Sequence, residues 1–502
     1  MSSSATLVEP EKTARPVQPS APASASFAEI QVRSSLDASV AGPVLFLFAS
    51  ALLWLVGWSV VHLITTWKLL SPDFLASYSF LTYGRLRPIA TNIFVYGWAS
   101  TAGFGVALWL TARLSRVRLP SVIPVILGTI IWNTGLTAGI VALHFGASRS
   151  HDYLELPAWS LWILFSGFAV IGYSILGLHF KRAEKGIFIT QAYVVAAVIW
   201  FAWTLLAGNL LTSLPWVQGV ILAINNAWFV AGLTNYWFTA LALGAIYYFI
   251  PKVTGRPIYS SYLATIGFWS FAFLAGFGGL QRFNGGPIPA WLITINIFAT
   301  ALTIIPAMIV SLNYHKTFTG SHGLLHYSPT LRFSVAGAMA YAISAVTALI
   351  LSFRSVAGQT GLSYTNVAQS HFVLYAFYSF VIFGAIYFIV PRLVAREWVS
   401  SRLIRYHFLT TIYGIGATLV FLAIAGLFQG KEWANVNIPN DVVNQVVALA
   451  GYSPLYGVLL GGILLLFGHL IFAFHYLLMT LRLGQVSDEP TLLASPYAEE
   501  AH

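Results

Sequence analysis

The stretch QSHFVLYAFYSFVIFGAIYFIVPR, residues 369–392, decides the fold of this chain. It is long and apolar enough to cross a bilayer, since a spanning helix needs roughly 20 mostly apolar residues. Pro391 and Arg392 close the stretch, and His371 stands almost alone near its start. An imidazole inside a membrane is costly and is typical of a metal ligand or a proton relay. The stretch therefore predicts a membrane helix with a functional residue at one end.

The composition of the whole chain is that of a polytopic membrane protein. Of its 502 residues 58% are hydrophobic and only 8% are charged, whereas soluble domains carry roughly 25% charged residues. There are no cysteines, which excludes disulfides, thiolate metal sites, iron–sulfur clusters and covalently attached haem c within the chain. The net charge is +10, but no basic run with interleaved aromatic residues occurs in a soluble segment, so nucleic-acid binding is excluded.

Changes in composition along the chain predict three regions. Residues 1–42 are rich in Ser, Ala and Pro and lack the basic start and apolar core of a signal peptide, so we expect a disordered cytoplasmic tail. Residues 43–482 predict one all-α bundle of twelve transmembrane helices, and residues 483–502 predict a second cytoplasmic tail. The helices are expected at about 43–66, 89–113, 121–145, 158–180, 187–211, 217–250, 260–281, 291–313, 331–353, 369–394, 406–428 and 454–482.

The Lys and Arg residues of the connecting loops predict the orientation of the bundle. The even-numbered connections carry more of these residues than the odd-numbered ones, and positively charged loops stay in the cytoplasm. Both termini are therefore expected in the cytoplasm. The chain shows no strong internal repeat, which argues against many transporter folds.

Short motifs at the ends of the apolar segments carry a family resemblance. In chain order, the motifs are YGRLRP at 83–88, ELP at 155–157, YYFIPK at 247–252, FW at 268–269, IVPR at 389–392 and LFQG at 427–430. In this order and spacing they resemble subunit I of the cbb3-type haem-copper oxidases, over about residues 43–482.

The resemblance implies a twelve-helix bundle that holds a low-spin haem b, a high-spin haem b and a copper ion. Such a subunit reduces dioxygen to water with electrons from c-type cytochrome subunits and pumps protons. Six histidines of the family hold the haems and the copper, because imidazole suits both haem iron and copper. Any metal in the present chain would need comparable ligands at the matching positions.

Carried over one position at a time, the resemblance leaves histidine at one of the six ligand positions. His371 stands where the family has a low-spin haem ligand, whereas the opposite ligand position is Ala90. In the sixth and seventh helices the copper-binding positions are Ala231, Gln281 and Arg282, and the ligand position for high-spin haem is Gln369. The tyrosine position of the seventh helix is likewise replaced, by Ala275.

These substitutions bear differently on the two kinds of cofactor. A guanidinium at a copper position, such as that of Arg282, opposes a cation there, so copper is not expected. Haem b stays open, because one imidazole is retained. Five lost histidines are more than a single misalignment explains, since each helix is anchored by motifs of its own.

Two interpretations of His371 stay open. It either binds haem with a substitute second ligand, for which His62 and His144 near the outer ends of their helices are candidates, or it hydrogen-bonds a neighbour. Two interpretations also apply to Arg85 and Arg87. These arginines either contact haem propionates, since a guanidinium pairs well with a carboxylate, or bind lipid headgroups or a partner subunit.

The remaining histidines give weaker signals. His407 is expected at a helix end rather than in the bundle interior. His469 and His475 are six residues apart and so do not share a helix face. We expect them to be unrelated packing positions.

Three functions are compatible with these residues. The first is a ligand-depleted, non-catalytic paralogue of the oxidase subunit in a bacterial inner membrane, with a structural role or a role in docking cytochrome c-type or other respiratory subunits. The second is a haem b-binding terminal oxidase or electron-transfer subunit that uses His371 and a non-standard partner. The third is a transporter or channel on the same frame, against which the missing midplane carboxylates and inverted repeat argue.

Overall fold

The computed structural model describes residues 27–183 and 185–486, and this part of the chain is helical throughout. It contains no β-strand, only an isolated bridge between Arg396 and Val486. Eleven of the described helices are long and apolar enough to cross a membrane. In chain order, the main helices are α1 (Phe27–Leu70), α2 (Tyr83–Ser115), α3 (Ile123–His144), α4 (Ala158–Phe180), α5 (Ile189–Ser213), α6 (Gly219–Thr254), α7 (Ser261–Phe277), α8 (Ala290–Phe318), α9 (Pro329–Ser352), α10 (Tyr364–Val394), α11 (Ser401–Trp433) and α12 (Leu455–Thr480).

The first helix begins earlier than the sequence predicts. Residues 27–42, expected in a disordered tail, form the start of α1. Leu36 and Val40 are buried there, and Asp37 pairs with Arg113 of α2 at 3.1 Å. The prediction of disorder was wrong for this stretch. The helix there is stabilised by contacts with α2, and the hydropathy of a local sequence window contains no information about such contacts. Residues 1–26 and 487–502, the rest of the two predicted tails, lie outside the described residues.

The seventh expected crossing is shorter than predicted. Helix α7 ends at Phe277 and is followed by a separate 3₁₀ turn, Leu280–Phe283. Gly279 separates them with φ at +99°, a conformation that only glycine adopts without strain. Gln281 and Arg282 therefore lie in the turn and not in the helix to which the family register assigned them. The all-helical membrane bundle is confirmed, with α7 as a shorter apolar helix beside the eleven long ones.

Three helices form the centre of the bundle. In their most apolar windows, 100% of α2, 94% of α10 and 78% of α6 is buried, whereas the other membrane-length helices bury 33–50% of theirs. The outer helices surround these three and expose apolar side chains, as expected where a helix faces lipid. Residues on α2, α6 and α10 are thus placed to form an interior site.

Each central helix contains a stretch of π-helix, whose wider turns leave backbone carbonyls without their usual partner. The stretches are Ile93–Ser100, Leu233–Thr239 and Phe372–Ser379. Hydroxyl groups satisfy some of these carbonyls: Ser100 donates to Val95 at 2.8 Å and Ser379 to Leu374 at 2.9 Å. Such insertions are rare and frequently occur at functional sites. They lie just beyond the predicted ligand positions of all three helices.

Hydrogen bonds between the π-helical stretches hold the three helices together. The Trp98 indole N–H of α2 donates to the Ser379 hydroxyl of α10 at 2.9 Å. The Trp237 indole N–H of α6 donates to the Ser100 hydroxyl of α2 at 3.2 Å. The Tyr378 hydroxyl donates to the Ala99 carbonyl at 2.7 Å. These groups are buried, so breaking one bond would leave a polar group without water.

Candidate functional site

The structure places His371 directly opposite His62. His371 ends the α-helical part of α10 before the π-helical stretch, and its Nδ1 lies 2.9 Å from the Val367 carbonyl oxygen. The His62 ring on α1 faces it, with ring centroids 5.7 Å apart. His62 stacks on Trp58 at 5.0 Å, and its buried Nε2 has no hydrogen-bond partner among the described residues. Of the two substitute ligands considered, His62 is the one in contact with His371.

His144 and Arg85 lie at the C-terminal end of α3 instead. The Nδ1 atom of His144 lies 3.0 Å from the Phe80 carbonyl oxygen. Arg85 donates to the His144 carbonyl at 2.7 Å, so it satisfies one of the last carbonyls of α3. Arg87 is exposed on α2. His144 is therefore not a partner of His371, and the propionate contact of Arg85 and Arg87 stays a prediction.

Aromatic rings fill the space beside the His62–His371 pair. Trp58 packs against Phe94 with ring centroids 4.7 Å apart and against Tyr375 at 5.8 Å. Phe94 and Tyr375 also stack on each other at 6.2 Å. All three rings are buried, as is Ala90, the position opposite His371 in the family register. The interior between α1, α2 and α10 is thus closely packed at this level.

Among the described residues, three further histidines are fully buried in the interior: His469 and His475, which were expected to be packing positions, and His407. His469 is fully buried and lies between the Tyr375 and Ser59 hydroxyls, each 2.5 Å from a ring nitrogen. His407, expected at a helix end, is also fully buried, and its Nδ1 lies 2.8 Å from the Tyr387 hydroxyl. The expectation for His407 was therefore wrong.

A helical repeat in the sequence contained the signal for His407. The residues that α11 buries from Ile404 onwards recur every three or four positions, and His407 belongs to that face. A position near a helix start alone predicts a solvated histidine, whereas the repeat indicates a buried one. Its burial next to Phe472, with ring centroids 4.4 Å apart, makes His407 part of the bundle core.

Three substituted positions meet around one cavity. A cavity of about 230 Å³ between α6, α7, α9 and α10 is lined by Ala231, Ala275 and Gln369. These residues come from three different helices, so their convergence is a property of the fold. The family register assigned them to the copper, tyrosine and high-spin haem positions, and the cavity places those positions together.

Two amide side chains at this cavity are bonded within the protein. The Gln369 amide oxygen accepts from the Thr347 hydroxyl at 2.7 Å, and its NH₂ group donates to the Ser344 carbonyl at 3.0 Å. The Asn235 amide donates to the Ala275 carbonyl at 2.8 Å. Amides engaged in this way are poor metal ligands, because binding a metal would cost them these hydrogen bonds.

A partly buried carboxyl group lies where the loop between α3 and α4 meets α2. Glu155, in the loop between α3 and α4, accepts a hydrogen bond from the Asn92 amide of α2 at 2.9 Å. Burial raises the pKa of Glu155 to about 7, and the hydrogen bonds from Asn92 and from backbone N–H groups offset this only in part. In the same loop the Tyr153 carbonyl accepts from the Tyr96 hydroxyl at 2.5 Å. The loop is thus fixed onto α2, and its glutamate titrates close to neutrality.

The family is decided by a match over most of the chain. Residues 42–480 match the sequence model of the family described as cytochrome c and quinol oxidase polypeptide I. The chain belongs to this family. The resemblance stated from the loop motifs is therefore confirmed, and the chain is a multi-pass membrane protein of the haem-copper oxidase subunit I type.

Individual relatives from bacteria are similar over most of their length. The chain is 26% identical over 411 residues to cytochrome c oxidase subunit 1 of Rhodobacter capsulatus, covering 79% of this chain and 76% of the relative. It is 26% identical over 491 residues to a bacteroid cytochrome c oxidase subunit 1 homologue of Bradyrhizobium diazoefficiens, and the match covers 95% of this chain and 88% of the relative. It is 24% identical over 409 residues to the cbb3-type cytochrome c oxidase subunit CcoN1 of Stutzerimonas stutzeri, and the match covers 78% of this chain and 85% of the relative.

A solved structure shares the fold. A haem-copper terminal oxidase determined as a dimer by cryo-electron microscopy superposes with a TM-score of 0.60, at 15% identity, covering 90% of this chain and 87% of that one. At this identity the likeness establishes the arrangement of helices alone.

The residues present do not suit the metal centres that the family implies. No imidazole is among the described residues that line the cavity at Ala231 and Gln369. Within residues 27–183 and 185–486, no group of three or more His, Asp or Glu side chains is placed to hold a metal ion. The two imidazoles at His371 and His62 would suit one haem iron, but they are fewer ligands than two haems and a copper ion need, and the rings of Trp58, Phe94 and Tyr375 pack closely beside them.

Proposed function

We propose that this chain is a non-catalytic member of the oxidase subunit I family, with a structural or partner-docking role in a respiratory complex of a bacterial inner membrane. One observation carries the proposal: Ala231, Ala275 and Gln369 line a single cavity without an imidazole among its described lining residues. The central helices are retained, and the Gln369 amide is hydrogen-bonded within the protein. Both observations favour a helical bundle whose stability does not depend on cofactors. Twelve crossings and cytoplasmic termini belong to the same proposal.

The purified protein is expected to contain less than one haem per chain and no stoichiometric copper. The cavity at Gln369 has no imidazole among its described lining residues, and the pair of His62 and His371 supplies ligands for one haem at most. The measurements are a reduced-minus-oxidised visible spectrum, a pyridine haemochrome assay and metal analysis of protein from its native membrane. A cbb3-type oxidase purified in parallel controls for cofactor loss. Two b haems and copper per chain, with cyanide-sensitive oxygen uptake, would contradict the proposal.

A docked cytochrome c-type subunit is expected to co-purify with the chain. Because the chain has no cysteine, it has no thiol for covalent haem c, so any covalent haem in the sample belongs to another polypeptide. The measurement is haem staining of a denaturing gel after purification in mild detergent. A stained band in stoichiometric amount supports the docking role, and its absence in a preparation that retains other subunits contradicts it.

A second function, electron transfer through one bound haem b, is favoured by the contact between His62 and His371. The Nε2 of His62 has no hydrogen-bond partner among the described residues, and the rings of His62 and His371, 5.7 Å apart, provide two imidazoles from different helices. This function predicts haem b in the wild-type protein that both His371→Ala and His62→Ala abolish, whereas His144→Ala retains it. A wild-type protein without haem rules it out.

A further inference from the structure

A second cavity lies at the face of the bundle where α1 begins. It has a volume of about 320 Å³ and is enclosed by the first turns of α1 and the last turns of α2 and α6. Four cationic side chains line it: Arg33 from α1, Arg113 and Arg116 from the end of α2, and Lys252 from the end of α6. This cavity is separate from the one at Gln369.

Among the residues that the structure describes, cationic side chains outnumber carboxylates at this cavity. Glu29 lines it and pairs with Arg33 and, at 3.6 Å, with Arg116. Asp37, behind the lining, pairs with Arg113 and accepts a second hydrogen bond from Trp109 at 3.0 Å. Four described cations thus stand beside two described carboxylates.

Lys252 is the clearest part of this excess. Among the residues that the structure describes, it forms no ion pair, although its side chain is exposed at the cavity. Like charges held close together repel, and an enclosed site weakens the screening by water. An anion in the cavity would relieve this repulsion.

The surroundings of the cavity indicate what presents the anion. The cationic residues stand within about two turns of the ends of membrane-length helices, where lipid headgroups lie. The apolar side chains of Val32 and Leu36 line the same cavity, and Val32 is 47% exposed. A basic pocket that continues into an apolar surface between membrane helices is the chemistry that binds anionic lipid headgroups.

We propose that this cavity binds a phosphate group, presented by an anionic phospholipid of the surrounding leaflet. Arg113 is held in place by Asp37 and forms the inner wall, whereas Arg116 and Lys252 are exposed and close over the phosphate. The early start of α1 is part of the site, since Glu29 and Arg33 belong to the stretch that the sequence assigned to a tail. Lipid binding would thus fix the N-terminal turns of α1 against α2 and α6.

The test uses the purified full-length protein in detergent, with the thermal unfolding midpoint measured as phospholipid is added. Phosphatidylglycerol is expected to raise the midpoint, whereas zwitterionic phosphatidylcholine is expected not to. The double variant Arg116→Gln/Lys252→Gln is expected to require about fivefold more phosphatidylglycerol for each charge removed, since a basic group near an anionic lipid contributes about that factor. Both residues are exposed, so the variant keeps the core packing.

The matched control removes two exposed charges elsewhere on the same face. Arg402→Gln/Arg405→Gln, at the start of α11, is expected to respond to phosphatidylglycerol as the wild type does. Glu29→Gln is expected to bind more tightly, because it frees Arg33 and Arg116 from their carboxylate. A misfolded protein does not produce such a gain.

Three outcomes would overturn the proposal. The first is equal stabilisation of the wild type by the two lipids, and the second is an equal loss in the control variant. The third is a full shift produced by inorganic phosphate alone, with no further effect of phosphatidylglycerol, which would overturn the lipid as the source.

Discussion

Gly426→Ala is expected to destabilise the protein by about 2 to 3 kcal/mol, although alanine favours a helix over glycine. Gly426 lies on α11 where it crosses the start of α10. A Cβ atom at Gly426 would lie 2.8 Å from the Cα of Thr365 and closer still to its backbone nitrogen. A backbone atom cannot rotate away as a side chain does, so α10 would have to shift.

The shift would reach the candidate site. Thr365 is the second residue of α10, and Gln369 follows one turn later with its hydrogen bond to Thr347. The matched control is Gly416→Ala on the same helix, because a Cβ there meets nothing within 4 Å. This variant is expected to be neutral or more stable by up to about 1 kcal/mol. The measurement is the free energy of unfolding in mixed micelles, and equal stabilities of the two variants would contradict the crossing geometry.

Glu155→Gln is expected to stabilise the protein at pH 8 by up to about 3 kcal/mol and to have no comparable effect at pH 4. Burial raises the pKa of Glu155 to about 7 from the ordinary value of 4.5, and one pKa unit corresponds to about 1.4 kcal/mol. A glutamine at this position keeps an oxygen that accepts from Asn92. The variant therefore removes the charge while keeping the hydrogen bond.

The sign of the pH dependence follows from the direction of the shift. Below pH 4.5 the carboxyl is protonated in both the folded and unfolded states, so it contributes no pH dependence. Between pH 4.5 and 7 the unfolded chain releases the proton while the folded protein keeps it, so stability falls as pH rises. Above pH 7 the loss is complete. The wild type should therefore lose stability across this window relative to Glu155→Gln.

Thermal unfolding of the two proteins from pH 4 to pH 8 measures this difference. Asp441→Asn is the control, because Asp441 is an exposed carboxyl in the loop before α12. It is expected to change stability by less than about 0.5 kcal/mol at any pH. Parallel pH profiles of the wild type and Glu155→Gln would show that the carboxyl is solvated rather than buried.

The hydropathy of the sequence predicted the helices well where packing and hydropathy agree. The apolar runs at 121–145 and 158–180 became α3 and α4 with almost the same bounds. The start of α1 was missed because Leu36 and Asp37 are ordered by contact with α2, far away in the sequence. The end of α7 was missed because the backbone turns at Gly279, and hydropathy does not register backbone conformation.

The candidate site was predicted in position but not in its packing. Motifs in the loops placed Ala231, Ala275 and Gln369 at matching sites on three helices, and the structure brings these residues to one cavity. The contact of His62 with His371 was one of two options, because the sequence contains no distances between helices. The burial of Phe94 beside Tyr375 depends on side-chain packing that no single-sequence pattern records.

The π-helical stretches of α2, α6 and α10 divide each of these helices into two halves with a fixed rotational offset. Each residue of an α-helix turns the chain by about 100°, so deleting one residue from such a stretch would rotate the N-terminal half of the helix by that angle relative to the C-terminal half. Positions 90, 231 and 371 all lie on the N-terminal side of their stretch. The hydrogen bond from Trp98 to Ser379 ties the π-helical stretches of α2 and α10 together, so the C-terminal halves can keep their orientation while residues of the N-terminal halves are substituted. The frame and the cofactor positions are therefore separable parts of the same three helices.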